Sequence, residues 1–268
     1  MTAPSPLHTT AIGERGSRVV FAHGLFGQGR NWTQIGRALA DRHRVLLVDL
    51  PHHGRSLWED DFDYLRIADQ VAELLDAGDP VALVGHSLGG KVAMVLALRH
   101  PECVERLCVV DVSPVAYVNL SQFQGYVAAM QGLDLDSLAG RDDADAALTK
   151  PVPDPTVRAF LLQNLRRDGD GWRWQANLDV LGADLPVIGS WPEEQLAGTS
   201  AYAGPVLWVA GAGSEYIKPA YAEAMDRWFP RNRLVTVKGA GHWVHAEQPE
   251  VFLEVLRRFL DAAGAKPA

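Results

Sequence analysis

The chain has few cysteines, and its positive charges are outnumbered by its negative ones. It contains two cysteines, Cys103 and Cys108, among 268 residues. Their spacing is not C-x-x-C and no histidine cluster accompanies them, so we expect two small buried apolar side chains rather than a metal or redox site. Such sparse cysteine usage fits a reducing cytoplasm. The formal net charge of −8 argues against a nucleic-acid binder and leaves no basic face for an anionic membrane.

Long apolar runs and ligand-binding motifs are also missing. The N-terminal stretch MTAPSPLHTTAIGERGS has no apolar segment typical of a secretory signal. No apolar run approaches the roughly 18 residues needed to span a bilayer. The sequence has no G-x-G-x-x-G, no complete G-x-x-x-x-G-K-[ST] phosphate loop and no metal-ligand spacing. We therefore expect a cytoplasmic protein that acts on a small molecule without a cofactor or metal.

Short apolar runs alternate with helical patterns along most of the chain. The runs RVVFAHG, RVLLVDL and VALVG predict buried strands. Helical patterns lie between them, as in YLRIADQVAELLDAG, whose helix we expect to end just before Gly78. This alternation predicts an α/β fold with a mostly parallel, twisted sheet and helices on both faces. Only about one strand fits before Val19, so we expect a short first edge.

The alternation stops after Asp111 and resumes with the run PVLWVAG. We expect residues 114–202 to form a mostly helical cap over a core made of residues 1–113 and 203–268. One helix is predicted in DPTVRAFLLQNLRR, where Asp154 can cap the helix and Pro155 occupies its first position.

A nucleophile is predicted where a strand turns sharply into a helix. The segment GHSLGG, residues 85–90, matches G-x-S-x-G between a predicted strand and a predicted helix. In that setting the hydroxyl of Ser87 projects above the sheet edge on a strained turn. The backbone N–H of Leu88 opens the helix and points toward the same space, where the helix dipole favours negative charge.

A second oxyanion donor is predicted in the loop HGLFG, residues 23–27, which follows an earlier strand. The N–H of Leu25 is the preferred donor and that of Phe26 the alternative. We expect His23 to hold the loop by hydrogen bonds rather than to take part in the chemistry.

The general base is predicted to be His242, in the segment GAGHWVHAEQP after the last strand. A loop at that place can carry a histidine back over the sheet to Ser87, and the glycines before His242 allow a sharp approach. The remaining histidines, among them His52, His53, His86 and His245, are expected to pack or to hydrogen-bond structurally.

These segments, in this order, are those of a known superfamily. The chain resembles the α/β-hydrolases over nearly its whole length. More narrowly, it is similar to the esterases and thioesterases related to abhydrolase-domain protein 11, on the segments HGLFG, HHGRS, GHSLGGK, VVDVSPVAY and GAGHWVHAE. The resemblance implies a core sheet, a helical cap over the active site, and hydrolysis of esters or thioesters without a cofactor.

A Ser–His–acid catalytic triad also needs a carboxylate that orients His242, and its identity is the open question. The family's usual aspartate position falls on Ser214. Glu215 is adjacent and has a longer side chain. The other candidate is Asp111, at the end of the apolar strand RLCVVD, where the tips of parallel strands gather an active site. In the resembling subfamily the aspartate of the matching segment can serve as the acid, so we favour Asp111. For Asp49, which ends the run LLVD, we prefer a structural role.

Residues that shape the substrate pocket are harder to assign. Trp243 and Phe26 are predicted to bind substrate. Lys91 follows the segment GHSLGG directly. It could contact an anionic acyl group of the substrate, but we expect a solvated or salt-bridged lysine. Five further residues of the cap are candidates to line the site: Tyr117, Asn119, Trp172, Trp174 and Trp191.

The function predicted from these residues is a serine hydrolase that cleaves carboxylic esters or thioesters through an acyl-enzyme. The same triad could serve a cofactor-free lyase, a carbon–carbon hydrolase or a perhydrolase. A ligand receptor on a hydrolase scaffold is a third possibility.

Overall fold

A seven-stranded sheet forms the centre of the protein, in a computed structural model that describes residues 7–262. The strand order is β1-β3-β2-β4-β5-β8-β9, with β1 antiparallel to its neighbour and the others parallel. The prediction of a mostly parallel sheet with one short edge strand is confirmed. The strands are β1 (Thr9–Ile12), β2 (Ser17–Ala22), β3 (His43–Val48), β4 (Val81–His86), β5 (Val104–Val110), β6 (Leu165–Asp168), β7 (Gly171–Trp174), β8 (Val206–Gly211) and β9 (Asn232–Val237).

Helices cover both faces of the sheet, as predicted. One face packs against α1 and α11 through Ile35 and Phe252, and the other packs against α2 and α3 through Ile67 and Leu96. Among residues 7–262, no helix combines the length and apolar character that a membrane span requires. The helices are α1 (Thr33–Leu39), α2 (Tyr64–Ala72), α3 (Leu88–Arg99), α4 (Ser121–Gln131), α5 (Arg141–Leu148), α6 (Pro155–Leu162), α7 (Leu178–Ala183), α8 (Leu185–Gly189), α9 (Ala222–Trp228), α10 (Val244–Glu247) and α11 (Pro249–Asp261).

Helix α2 is shorter than its sequence pattern predicts. It begins at an Asp63 side chain that accepts the N–H of Arg66, and it ends at Ala72. The chain then tightens, because the N–H groups of Leu74 and Leu75 bond carbonyls three residues back. Gly78 lies beyond this turn and donates to the Asp76 carboxylate, so its predicted role at the helix end is wrong.

The insertion between β5 and β8 contains the five helices α4 to α8. The Asp154 carboxylate caps α6 by accepting the N–H groups of Thr156 and Val157. Helix α6 stops at Leu162, and β6 and β7 then form an antiparallel hairpin instead of continuing the helix. The hairpin turn contains Gly169 at φ +57°, a conformation that favours glycine. The division of the chain at 113 and 203 stays a prediction.

Two glycines in helices test how closely the chain is packed around the sharp turn between β4 and α3, which carries Ser87. A Cβ on Gly89 would lie 2.4 Å from the His23 carbonyl oxygen and 2.6 Å from that of Ala22. Gly125, exposed on α4, has no atom within 4 Å of the same position. We expect Gly89→Ala to reduce the free energy of unfolding by about 3 kcal/mol, at the upper end of overpacking costs. Gly125→Ala should raise it by about 0.5–1 kcal/mol, because alanine favours a helix.

Urea titration of both variants measures the difference. An unchanged midpoint for Gly89→Ala would contradict the packing described for α3 against the end of β2.

Candidate active site

Ser87 lies on a strained turn between β4 and α3. Its φ of +52° is unusual for a residue other than glycine. The turn is held by the Ser87 N–H, which donates to the Val110 carbonyl at 3.0 Å. Gly85 is needed beneath it, because a Cβ there would lie 2.2 Å from the Gly89 carbonyl oxygen. The sequence therefore forms the sharp strand-to-helix turn that the G-x-S-x-G pattern predicts.

Strained backbone recurs along the same edge of the sheet. In the described part of the chain, four residues other than glycine have positive φ: Phe26, His52, Ser87 and Asp111. They follow β2, β3, β4 and β5 in turn, so they lie at the carboxyl ends of four strands. Strain of this kind costs about 1–3 kcal/mol per residue and clusters at functional sites.

The His242 ring and the Asp111 carboxylate are paired. His242 Nδ1 lies 2.8 Å from Asp111 Oδ2. Asp111 is fully buried, and its carboxylate also accepts the Gly211 N–H at 3.1 Å and the Ser214 hydroxyl. A carboxylate can only accept, so Nδ1 carries the proton and Nε2 is left with its lone pair. His242 Nε2 is thereby prepared to accept a proton.

Glu215 lies away from this pair. Its carboxylate forms an ion pair with Lys218 at 2.7 Å, and its side chain is 86% exposed. Ser214, which stands at the family's usual acid position, instead donates its hydroxyl to Asp111. Sequence reasoning missed this contact, because it treated Ser214 only as a residue unable to supply the charge.

The predicted oxyanion donors flank Ser87. Leu25 follows β2, Leu88 opens α3, and the backbone N–H of neither bonds another group within residues 7–262. The N–H of Phe26 donates to His53 Nε2 at 3.2 Å, so this alternative donor is already occupied. These contacts favour Leu25 over Phe26, as the sequence did.

The neighbouring histidines act as braces. His23 Nε2 accepts the Leu50 N–H at 3.0 Å and its Nδ1 donates to the Gly24 carbonyl. His86 Nε2 donates to the His242 carbonyl at 2.8 Å, which fixes the loop that carries His242. Burial lowers the pKa of both rings, so they stay neutral near pH 7.

His245 is also buried and stacks on Trp32 with ring centroids 4.1 Å apart. Burial lowers the pKa of His245 to about 3. It is therefore neutral over the pH range in which His242 would act, in keeping with the structural role predicted for it. The Asp49 carboxylate likewise serves the backbone, accepting the N–H groups of Gly29 and Arg55.

Two clefts meet at Ser87. The first is lined by His242 and by the predicted wall residues Phe26 and Trp243. The second is lined by Leu25, Leu88 and the apolar side chains of Val112, Leu120, Leu185 and Ile188. Leu25, Ser87 and Phe123 border both clefts. A substrate whose reacting bond lies at Ser87 can therefore extend into both clefts.

The five cap candidates are placed differently. Tyr117 lines the second cleft. The other four are absent from the walls of both clefts. Trp172 and Trp174 donate their indole N–H groups to backbone carbonyls, Trp191 packs on Trp228, and Asn119 is exposed. Phe160 of α6, which packs on Trp243, is a wall residue that sequence reasoning missed.

The expectation of a solvated or salt-bridged Lys91 is wrong. Lys91 is 2% exposed and lines the second cleft. Its ammonium donates to the backbone carbonyls of Gly189 and Ser190, at the end of α8. The tertiary fold, which brings α8 over α3, removes this side chain from water.

Comparison with known proteins agrees with this architecture. A family model described as alpha/beta hydrolase fold matches residues 17–249. The chain belongs to the α/β-hydrolase family. It is 38% identical to the sn-1-specific diacylglycerol lipase ABHD11 of Mus musculus, over 90% of this chain and 80% of that protein. It is 31% identical to esterase YbfF of Escherichia coli (strain K12), over 91% of this chain and 93% of that protein.

A solved structure of this family is also similar. The marine microorganism esterase superposes with a TM-score of 0.89 at 32% identity, over 94% of this chain and 98% of that one. The resemblance to the group of abhydrolase-domain protein 11 is confirmed. Within the family the protein is a carboxylic ester hydrolase. Hydrolysis of thioesters and a cytoplasmic location stay predictions.

Proposed function

We propose that the protein cleaves carboxylic esters or thioesters through an acyl-enzyme formed on Ser87. The observation that carries this proposal is the 2.8 Å contact between His242 Nδ1 and the buried Asp111 carboxylate, in a cleft that Ser87 shares. Of the proposed site residues, Ser87 is the nucleophile, His242 the general base and Asp111 its orienter.

The reaction follows from the protonation states. Ser87 Oγ attacks the substrate carbonyl as His242 Nε2 takes its proton, and Asp111 stabilises the imidazolium that forms. His242 then returns the proton to the leaving alcohol or thiol. Water, deprotonated by the same nitrogen, attacks the acyl-enzyme and releases the acid.

Charge on the carbonyl oxygen is met by the backbone N–H groups of Leu25 and Leu88. These groups point from the end of β2 and the start of α3, where the helix dipole favours negative charge. Their positions are set by the strained turns around Phe26 and Ser87, so they need no rearrangement during the reaction.

The two clefts divide the substrate between them. The leaving group must receive its proton from His242, which lines the first cleft only. Leu88, an oxyanion donor, lines the second cleft only. We therefore assign the leaving group to the first cleft, beside Trp243 and Phe26, and the acyl chain to the second.

Two measurements test the proposal. A fluorophosphonate should modify one residue, Ser87, found by peptide mass spectrometry, because a triad serine attacks such probes. The protein should also hydrolyse p-nitrophenyl esters and thioesters in a series of acyl-chain lengths. Diacylglycerol belongs in that series, since the mouse relative is named a diacylglycerol lipase.

The outcomes separate the competing functions. Labelling of Ser87 together with ester turnover supports the hydrolase. Labelling without turnover of any ester or thioester would favour a lyase, a carbon–carbon hydrolase or a perhydrolase that uses the same residues. If Ser87 is not labelled and no ester or thioester is hydrolysed, a ligand receptor on a hydrolase scaffold is favoured.

A further inference from the structure

Lys91 is a buried cation at the wall of the proposed acyl cleft. It is 2% exposed, and burial lowers its pKa to about 7. Two of its three ammonium protons go to the carbonyls of Gly189 and Ser190. Within residues 7–262 no carboxylate pairs with it. The positive charge of Lys91 is stabilised by the dipoles of backbone carbonyls and by the faces of aromatic rings.

Those rings are tyrosines. The Lys91 Nζ lies 4.8 Å from the centroid of the Tyr117 ring and 5.9 Å from that of Tyr64. Burial raises the pKa of both phenols, so neither supplies a negative charge near pH 7. A buried ammonium without an anionic partner is costly, and a methionine would fill the same space without that cost.

Lys91 also shares a cleft with the proposed nucleophile. Lys91 lies one helical turn after Ser87, and its backbone N–H donates to the Ser87 carbonyl at 3.1 Å. Side chains on a helix lean toward its N-terminus, and Lys91 and Ser87 both line the second cleft. No other lysine or arginine lines this cleft, and apolar side chains make up most of its wall within the described residues.

We propose that Lys91 recognises a carboxylate at the far end of the substrate's acyl chain, so that half-esters of dicarboxylic acids are the preferred substrate class. This inference rests on the proposed function, which puts the acyl chain in the second cleft. The carboxylate accepts the third ammonium proton and supplies the charge that the protein does not. The apolar wall of Val112, Leu185 and Ile188 contacts the methylene groups between the two ends.

A pair of substrates of equal shape tests this assignment. Monoethyl adipate carries a carboxylate where ethyl 6-methylheptanoate carries an isopropyl group. We expect wild type to show the higher kcat/KM for monoethyl adipate. Lys91→Met should lower that value by about 10- to 100-fold, the worth of a hydrogen bond between charged groups, and should change the neutral ester little.

Two further variants separate the charge of Lys91 from its structural role. Lys91→Gln retains a donor for the Gly189 and Ser190 carbonyls but has no charge, and it should lose the same preference. Lys91→Arg keeps the charge in a larger group and should retain part of the preference. The ratio between the two esters is measured within each variant, so a change in the amount of folded protein cancels.

Wild type offers a test that needs no substitution. Above a pKa of about 7 the free enzyme loses the Lys91 charge. The kcat/KM for monoethyl adipate should therefore fall relative to that for the neutral ester as pH rises from 6 to 9. Among the described residues, the titratable side chains on or beside this cleft are Tyr64, Tyr117 and Tyr216. Burial raises the pKa of all three phenols, so they stay neutral over this range.

Two results would overturn the inference and leave the proposed function standing. One is equal kcat/KM for both esters in wild type. The other is an equal loss on both esters in Lys91→Met, which would assign Lys91 to holding α8 on α3. Failure of the proposed function has a different signature, namely no hydrolysis of either ester and no fluorophosphonate label on Ser87.

Discussion

Replacing Ser87 with alanine is expected to lower kcat for ester hydrolysis by about 10⁶-fold, as the loss of a triad serine does. Without the hydroxyl there is no nucleophile on the elbow and no acyl-enzyme can form. The residual rate would come from water in a cleft that still has the Leu25 and Leu88 N–H groups. Steady-state turnover of the best p-nitrophenyl ester measures the loss.

The control is the fold of the variant. Ser87 has φ of +52°, a conformation that alanine tolerates no better than serine, so the strain is the same in both proteins. The melting temperature of Ser87→Ala should therefore stay close to that of wild type. A variant that keeps its fold and more than about a hundredth of its turnover would show that Ser87 is not the nucleophile.

Replacing Asp111 with asparagine is expected to lower kcat by about 10⁴-fold. An asparagine NH₂ facing His242 Nδ1 would donate, which leaves Nδ1 to accept and puts the ring proton on Nε2. His242 then cannot take a proton from Ser87. The loss arises from the tautomer rather than from geometry, because asparagine has nearly the size and shape of aspartate.

Glu215→Gln is the matched control, since it makes the same chemical change at the neighbouring candidate. The Glu215 side chain is exposed and pairs with Lys218, so its loss should leave kcat unchanged. Measuring both variants on one ester decides the acid. A crippled Glu215→Gln together with a mild Asp111→Asn would reverse the assignment.

The fold was predictable in outline because its signals are local. Apolar runs such as VALVG define buried strands, and the alternation with helices allows few architectures. The predictions failed where local patterns competed. The segment after Leu162 reads as helix but forms the hairpin of β6 and β7. Helix α2 ends at Ala72, although its amphipathic pattern continues beyond that residue.

The candidate site was predictable to a similar extent. Ser87 and His242 each belong to a short segment with its own turn and glycines, so a few neighbouring residues identify them. Asp111 could be favoured because it ends an apolar strand at the tip where sites form. Its hydrogen bond from Ser214 could not be foreseen, since the two residues are 103 positions apart.

The sequence by itself determined the fold class, the sharp turn at Ser87 and the place of His242 after the last strand, because these depend on residues close together in the chain. The tertiary structure decided which carboxylate His242 meets and left Glu215 in solvent. It also decided that Lys91 is buried, since its carbonyl partner Gly189 lies 98 positions away. Burial and charge pairing depend on distant segments packing together, and local sequence carries little information about such packing.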